Sequence, residues 1–338
     1  MLTMRSTSDN WLSMTDHQKT DQQNITMQQQ RVELIDVLRG IALMTMVVYH
    51  FTWDLEYFGW IGPATTMQTG WVIFARSIAS SFLFLVGVSM VLAHRGGIEW
   101  QPFWKRWLQV AGAAALISIV SYMFMPGGFI FFGILHAIAL FSLFGLLFLR
   151  LPWMVTLLVA VVVWVIWKTT RFDVFDLHAL RWVGLAPIPP RSNDYVPLFP
   201  WFAATLAGIA FTQMALAHGL WQRLHGLKIA DWLRRPMTFI GRRSLIFYLV
   251  HQPVLLASLW LFTAVVGEPD RAPAFIYHCQ NSCLQTNGET FCRRYCTCMV
   301  DEMKSRNLFT PFMQGNTDSN QNDELMVSRD LCVAQDGN

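Results

Sequence analysis

Charge is scarce in this chain, and cysteine is absent from its first 278 residues. Asp, Glu, Lys and Arg make up 14% of the 338 residues, against about 25% in a soluble globular protein. No Lys/Arg-rich run with interleaved aromatics occurs, so the net charge of +3 implies nothing about nucleic acid. A phosphate-cradling glycine loop is missing, and so is any internal repeat. Residues 1–30 have no apolar core and no small-residue cleavage site, which excludes a signal peptide. Polar and rich in Gln, Thr and Ser, they are expected to form a disordered cytoplasmic tail.

What is present is apolar length. Hydrophobic residues make up 54% of the chain, with 15 tryptophans and 25 phenylalanines. Crossing a bilayer takes roughly 20 apolar residues. Seven runs approach or exceed that length, at about 37–57, 71–94, 107–125, 129–149, 152–167, 198–217 and 244–266. The expected fold is an all-α polytopic membrane bundle of about seven transmembrane helices over residues 31–266, followed by a small cysteine-rich helical tail, 267–338. Basic residues set the orientation. Arg95, Lys105 and Arg106 follow the second run; Arg223, Lys228, Arg234, Arg235, Arg242 and Arg243 precede the seventh. The connections at 58–70 and 126–129 have no Lys or Arg. This places the N-terminus in the cytoplasm and the C-terminus outside. Residues 168–197 mix Lys168, Arg171, Arg181 and Arg191 with Asp173, Asp176 and Asp194 and carry Pro187, Pro189 and Pro190. They read as an ordered external loop or interfacial helix.

All six cysteines lie in the tail: Cys279, Cys283, Cys292, Cys296, Cys298 and a distant Cys332. A Cys-x3-Cys pair on a helix puts both sulfurs on one face. Two such helices in a hairpin, carrying Cys279 and Cys283 opposite Cys292 and Cys296, can be stapled by two disulfides, as an oxidising compartment favours. A zinc site helped by His278 is the alternative, and unpaired thiols remain a third possibility.

The functional signal is polar residues inside apolar runs. Arg39 and His50 are eleven residues apart in the first run. On a helix they share one face, about 16 Å apart. Asp36 lies on that face, as does Asp54, one turn beyond His50. Ionisable groups in a span mark a functional site by default. Arg39 near a helix end also suits a snorkelling side chain, and a lone His suits packing. His50 with Asp54 resembles a base with an orienting carboxylate. Arg76, in the second run, reads as a buried cation in need of an acidic partner, with Asp54 the candidate. His136 in the fourth run and His251 in the seventh complete a set that a shared polar cavity explains. A proton-coupled transporter or flippase for an anionic substrate would use similar groups, but no repeated halves or matched interrupted helices support it. A membrane scaffold presenting the cysteine hairpin leaves the Arg-x10-His stripe unexplained.

The stretch Arg31-Val-Glu-Leu-Ile-Asp36-Val-Leu-Arg39-Gly40 through Tyr49-His50 resembles the first helix of the membrane acyltransferase superfamily, related to the acyltransferase-3 proteins. Ser81-Phe-Leu-Phe-Leu-Val-Gly87-Val-Ser89, Phe132-Gly133-Ile-Leu-His136, Leu198-Phe-Pro200-Trp201 and Gly241-Arg-Arg-Ser244 through His251-Gln252-Pro253 are similar to the bacterial branch of the heparan-α-glucosaminide N-acetyltransferase catalytic-domain family. The resemblance covers about residues 31–266. It implies an enzyme of the bacterial inner membrane that takes an acetyl or other acyl group from cytoplasmic acyl-CoA and passes it to an outer acceptor, with a sugar or glycan the expected one. No metal is expected. Arg39, Arg106, Arg242 and Arg243, with Arg95 and Lys105 in the same basic loops, would bind CoA phosphates. His50 would act as base or as a transient acyl carrier, with Asp54 fixing its tautomer. Arg76, His136 and His251 would hold the acceptor or the oxyanion. The lipid bilayer, acyl-CoA and a glycan are the expected partners.

Overall fold

In the computed structural model, residues 8–221 and 229–334 are described, with side chains from residue 33 onward and Pro126 excepted. The side chains of the N-terminal 30 residues expected to be disordered therefore lie outside the described set. Helix α1 (Ser8–Phe58) is followed by α2 (Thr69–Ala93), α3 (Trp100–Phe124), α4 (Ile134–Gly145), α5 (Trp153–Thr169), α6 (Leu198–Ala217), α7 (Asp231–Arg242) and α8 (Ser244–Val266). The tail supplies α9 (Ala272–Cys283), α10 (Glu289–Ser305), α11 (Phe309–Gln314) and α12 (Ser319–Ala334).

Each of the seven apolar runs contains a helix. Among the described residues, five helices are long and apolar enough to cross a membrane: Glu33–Phe58 within α1, α2, α3, α6 and α8. The fourth and fifth, Ile134–Phe148 and Trp153–Thr169, are shorter. The fourth run starts at 129, but its helix starts only at Ile134. The cause is a backbone path that runs back along α3. Ile130 N–H donates to Ser121 Oγ (3.0 Å), and Ser118 Oγ donates to Ile130 O (2.7 Å). The same segment pairs with residues 193–196: Asn193 N–H to Gly128 O (2.9 Å), Val196 N–H to Phe132 O (3.0 Å), and an isolated parallel bridge from Phe132 to Tyr195. Extended backbone beside apolar helices is tolerated where protein partners satisfy it in this way. Residues 170–197 hold two 3₁₀ turns, Asp173–Asp176 and Arg181–Val183, rather than an interfacial helix.

The chain divides into two compact units, Met1–Val48 with Ile73–Pro253, and Tyr49–Val72 with Val254–Asn338. The boundary falls inside α1, α2 and α8 instead of after residue 266. In the first unit, Leu83, Phe141, Phe202, Leu206 and Ile209 form a core joining α2, α4 and α6, with Ala160 and Val163 of α5 against it.

The second unit has its own core of Met299, Val300, Met303, Leu308 and Phe309. Two disulfides, Cys279–Cys296 and Cys283–Cys292, staple α9 to α10, as the twin spacing predicts. A third, Cys298–Cys332, ties α10 to α12. No free cysteine is left, so thiolate ligation of zinc is ruled out. Trp60 Nε1 donates to Thr263 Oγ1 (3.1 Å), and Gly59 lies against the side chains of Pro269 and Arg271. These contacts join the 59–68 connection to the end of α8 and to the tail, which is why they fall in one unit.

Candidate functional site

The most developed polar cluster of the first unit is built on α1 and α7. Backbones approach closely there because two glycines omit a side chain. A Cβ on Gly40 would strike the Met237 carbonyl, and one on Gly241 would strike the Asp36 carbonyl. The crossing brings Asp36 between two arginines. Its Oδ1 accepts from Arg39 Nη1 at 3.1 Å, and its Oδ2 accepts from Arg242 Nε at 3.3 Å. Arg39 Nη2 also donates to Ser89 Oγ on α2, at 2.5 Å. The Asp36 side chain is 4% exposed and that of Arg39 19%, whereas Arg242 is 60% exposed. Arg106 lies within electrostatic reach of Arg39. Arg243 sets its guanidinium 4.1 Å from the Phe239 ring centroid. One buried carboxylate therefore bridges two arginines, and the more exposed of them, Arg242, keeps donors for an anion. Arg234 extends the junction through Glu33 (2.5 Å) and Asp231 (2.7 Å). The Arg234 guanidinium holds the Asp231 carboxyl below the usual carboxylate range.

A second cluster forms at the start of α4. Ile134 N–H donates to Asp194 Oδ2 (2.8 Å), and Tyr248 Oη to the same oxygen (3.4 Å). Burial pushes the Asp194 carboxyl up from its ordinary range, against the pull of those two donors. Next to it, burial pushes the Tyr195 phenol up to about 12. Gly133 N–H donates to His136 Nδ1 (3.2 Å), so Nε2 carries the ring proton and faces Ser118 Oγ (3.1 Å). Both His136 nitrogens are thus used to fix the helix start. His251 Nδ1 faces Tyr248 O at 2.6 Å. A carbonyl only accepts, so that nitrogen carries the proton. Tyr248 thus touches Asp194 through its hydroxyl and His251 through its carbonyl, while His136 bonds the start of α4 separately.

His50 and Asp54 belong to the second unit. His50 is half-buried, with its ring 5.7 Å from that of Tyr49, and Asp54 is fully buried. Each has further partners within the structure. Glu56, two residues on, accepts from Thr66 N–H (2.8 Å) and Thr66 Oγ1 (2.7 Å), which pins the following loop to the end of α1.

Arg76 corrects an expectation. It is exposed and forms no ion pair among the described residues, so it is not a buried cation seeking a carboxylate. It sits near the start of α2, where a long side chain reaches outward. Ser89, Asp194 and Tyr248 were not singled out from sequence as site residues. Ser89 and Tyr248 had a signal, as members of the Ser81–Ser89 and Gly241–Pro253 motifs.

No curated protein and no solved structure matches the chain. The family profile described as heparan-alpha-glucosaminide N-acetyltransferase, catalytic, matches residues 31–253, which contain the Asp36–Arg39–Arg242 junction and His50. A membrane acetyltransferase is the kind of protein this match supports, and the chain belongs to that family.

Proposed function

We propose that the protein takes an acetyl group from cytoplasmic acyl-CoA and transfers it to a sugar or glycan acceptor on the other side of a bacterial inner membrane. The observation that carries this reading is the Asp36 junction, where two arginines share one buried carboxylate and the more exposed of them, Arg242, presents its guanidinium outward. An exposed, pre-oriented guanidinium suits the phosphates of a CoA donor, and the donor supplies an activated thioester. Arg39, Arg106, Arg242 and Arg243 hold the anionic end. The eleven-residue spacing of Arg39 and His50 in the sequence corresponds to about 16 Å of helical rise, a span that pantetheine covers.

His50 takes the proton from the acceptor O–H or N–H, whose lone pair attacks the thioester carbonyl. The carbon–sulfur bond breaks, the acceptor keeps the acetyl group, and the thiolate leaves and is protonated. Asp54 orients the His50 ring. In the two-step variant, His50 itself carries the acetyl group before the acceptor receives it. His136 is a positioning residue for the start of α4, while Arg76 and His251 keep the acceptor-side role that the family resemblance suggests.

Purified protein incubated with labelled acetyl-CoA tests the reading. Label should pass to the acceptor, or to the protein if the two-step route holds. Arg39→Ala should raise the apparent KM for the donor about 10- to 100-fold, the value of one charge-assisted contact. Donor affinity should also fall as salt rises. A folded protein with no salt-sensitive CoA binding overturns the donor assignment.

A further inference from the structure

The cysteine-rich unit contains a cavity of about 500 Å³ that acyl transfer does not use. Its size lies within the range of small-molecule sites. It opens between the start of α9 and the α10–α11 corner. Phe309 and Met313 supply an apolar wall; Thr310 and Asn307 supply polar groups. The charged lining consists of Glu268, Asp270, Arg271 and Lys304.

Those four charges are not equally satisfied. Lys304 Nζ is held by both oxygens of Asp270, at 3.2 and 3.0 Å, and lies 5.6 Å from the Phe309 ring centroid. Asp270 also accepts from Ala272 N–H at 2.9 Å. Arg271 differs. Its nearest acid is Glu268 at 3.9 Å, beyond hydrogen-bonding distance, and its Nε is buried with no hydrogen-bond partner among the described residues. A guanidinium has five N–H donors in a rigid fork suited to a carboxylate. A third of the Arg271 side chain is exposed, so its terminal nitrogens, and not the buried Nε, are what a ligand in the cleft can reach.

We infer that this cleft is a binding site for a small monoanion, a carboxylate on an apolar body, with Arg271 as the anchor. The acids decide the charge of the ligand. Lys304 is already neutralised by Asp270, and Glu268 stands on the rim, so a dianion meets more repulsion than a single guanidinium offsets. Phe309 and Met313 take the apolar part.

Full-length protein in detergent tests the site by titration with three probes: phenylacetate, the neutral 2-phenylethanol and the dianion phenyl phosphate. Phenylacetate should bind at least tenfold more tightly than either of the others. Arg271→Gln should weaken phenylacetate about 10- to 100-fold, and Arg271→Lys, which keeps charge but loses the fork, should fall between. Met313→Trp fills the cleft and should also abolish binding while Arg271 stays in place. Should Arg271→Gln fail to fold, the probe comparison on the native chain and the Met313 variant still decide. Equal binding of phenylacetate and 2-phenylethanol, tighter binding of phenyl phosphate, or unchanged binding in a folded Arg271→Gln variant overturns the inference. No phenylacetate binding at millimolar concentration overturns it too.

Discussion

At the scale of single residues, the helix periodicity of the sequence places Asp36, Arg39, His50 and Asp54 on one face but does not say which is structural. The structure separates Asp36 from the others: a carboxylate with each oxygen on a different arginine is a hub holding α1 and α7 together. Removing one partner of a buried ion pair leaves a bare charge, which typically costs 3–5 kcal/mol, less here because Arg242 is exposed. His50 is the sharper test of chemistry. His50→Ala is expected to leave a folded, inserted protein whose turnover per folded molecule falls about 10²- to 10⁴-fold, with a smaller loss for Asp54→Asn. Near wild-type turnover of His50→Ala, measured beside its thermal stability in detergent, ends the catalytic assignment.

Asp194 shows why a loop residue hides in a sequence. One Asp among mixed charges reads as solvated, yet it caps α4. Asn keeps an acceptor for Ile134 N–H, so Asp194→Asn should be near neutral, whereas Asp194→Ala should cost about 1 kcal/mol. Because the folded carboxyl is raised, the unfolded chain gives up its proton first as pH climbs. The stability linked to the protonated form is therefore complete below the unfolded value, near 3.9. It is lost as pH rises towards the higher folded value. A pH series of melting curves should show that decline in the native chain and a flatter limb in Asp194→Asn.

At the scale of elements, apolar length locates seven of the eight helices described between residues 31 and 266 but not the basic α7, and mixed charge marks 168–197 as separate. The start of the fourth run escapes for a physical reason. Phe129, Ile130, Phe131 and Phe132 suit a buried extended strand as well as a helix. Only the pairing with residues 193–196, more than sixty positions away, decides between them. Close helix contact is equally silent: Gly40 and Gly112 look alike as letters. A Cβ on Gly112 meets nothing within 4 Å, whereas one on Gly241 meets the backbone of Asp36. Gly112→Ala is expected to be neutral or stabilising by up to about 1 kcal/mol. Gly241→Ala should destabilise by about 1–3 kcal/mol and, by pushing α7 away, raise the donor KM. If both substitutions behave alike in melting and kinetics, the close crossing is not what holds the arginine cluster.

At the scale of the whole molecule, the disulfides and the charge pattern bear on the same question, which side of the membrane each part occupies. The first two pairings are legible because residues four apart share a helix face. The third is not, since nothing in the sequence fixes a partner 34 residues away. Three disulfides on a tail of this size suit an oxidising compartment, and the arginines of α7 suit the opposite side. If both arguments hold, reporter fusions at residues 97 and 230 should report cytoplasm and one at 300 the exported side. A membrane-impermeant thiol reagent applied to intact cells should then label the tail only after reduction, with six new sites. Labelling without reduction, a cytoplasmic signal at 300 or an exported one at 230 reverses the orientation. In that case α7 and its arginines face away from cytoplasmic CoA, and the proposed direction of acyl transfer fails with the topology.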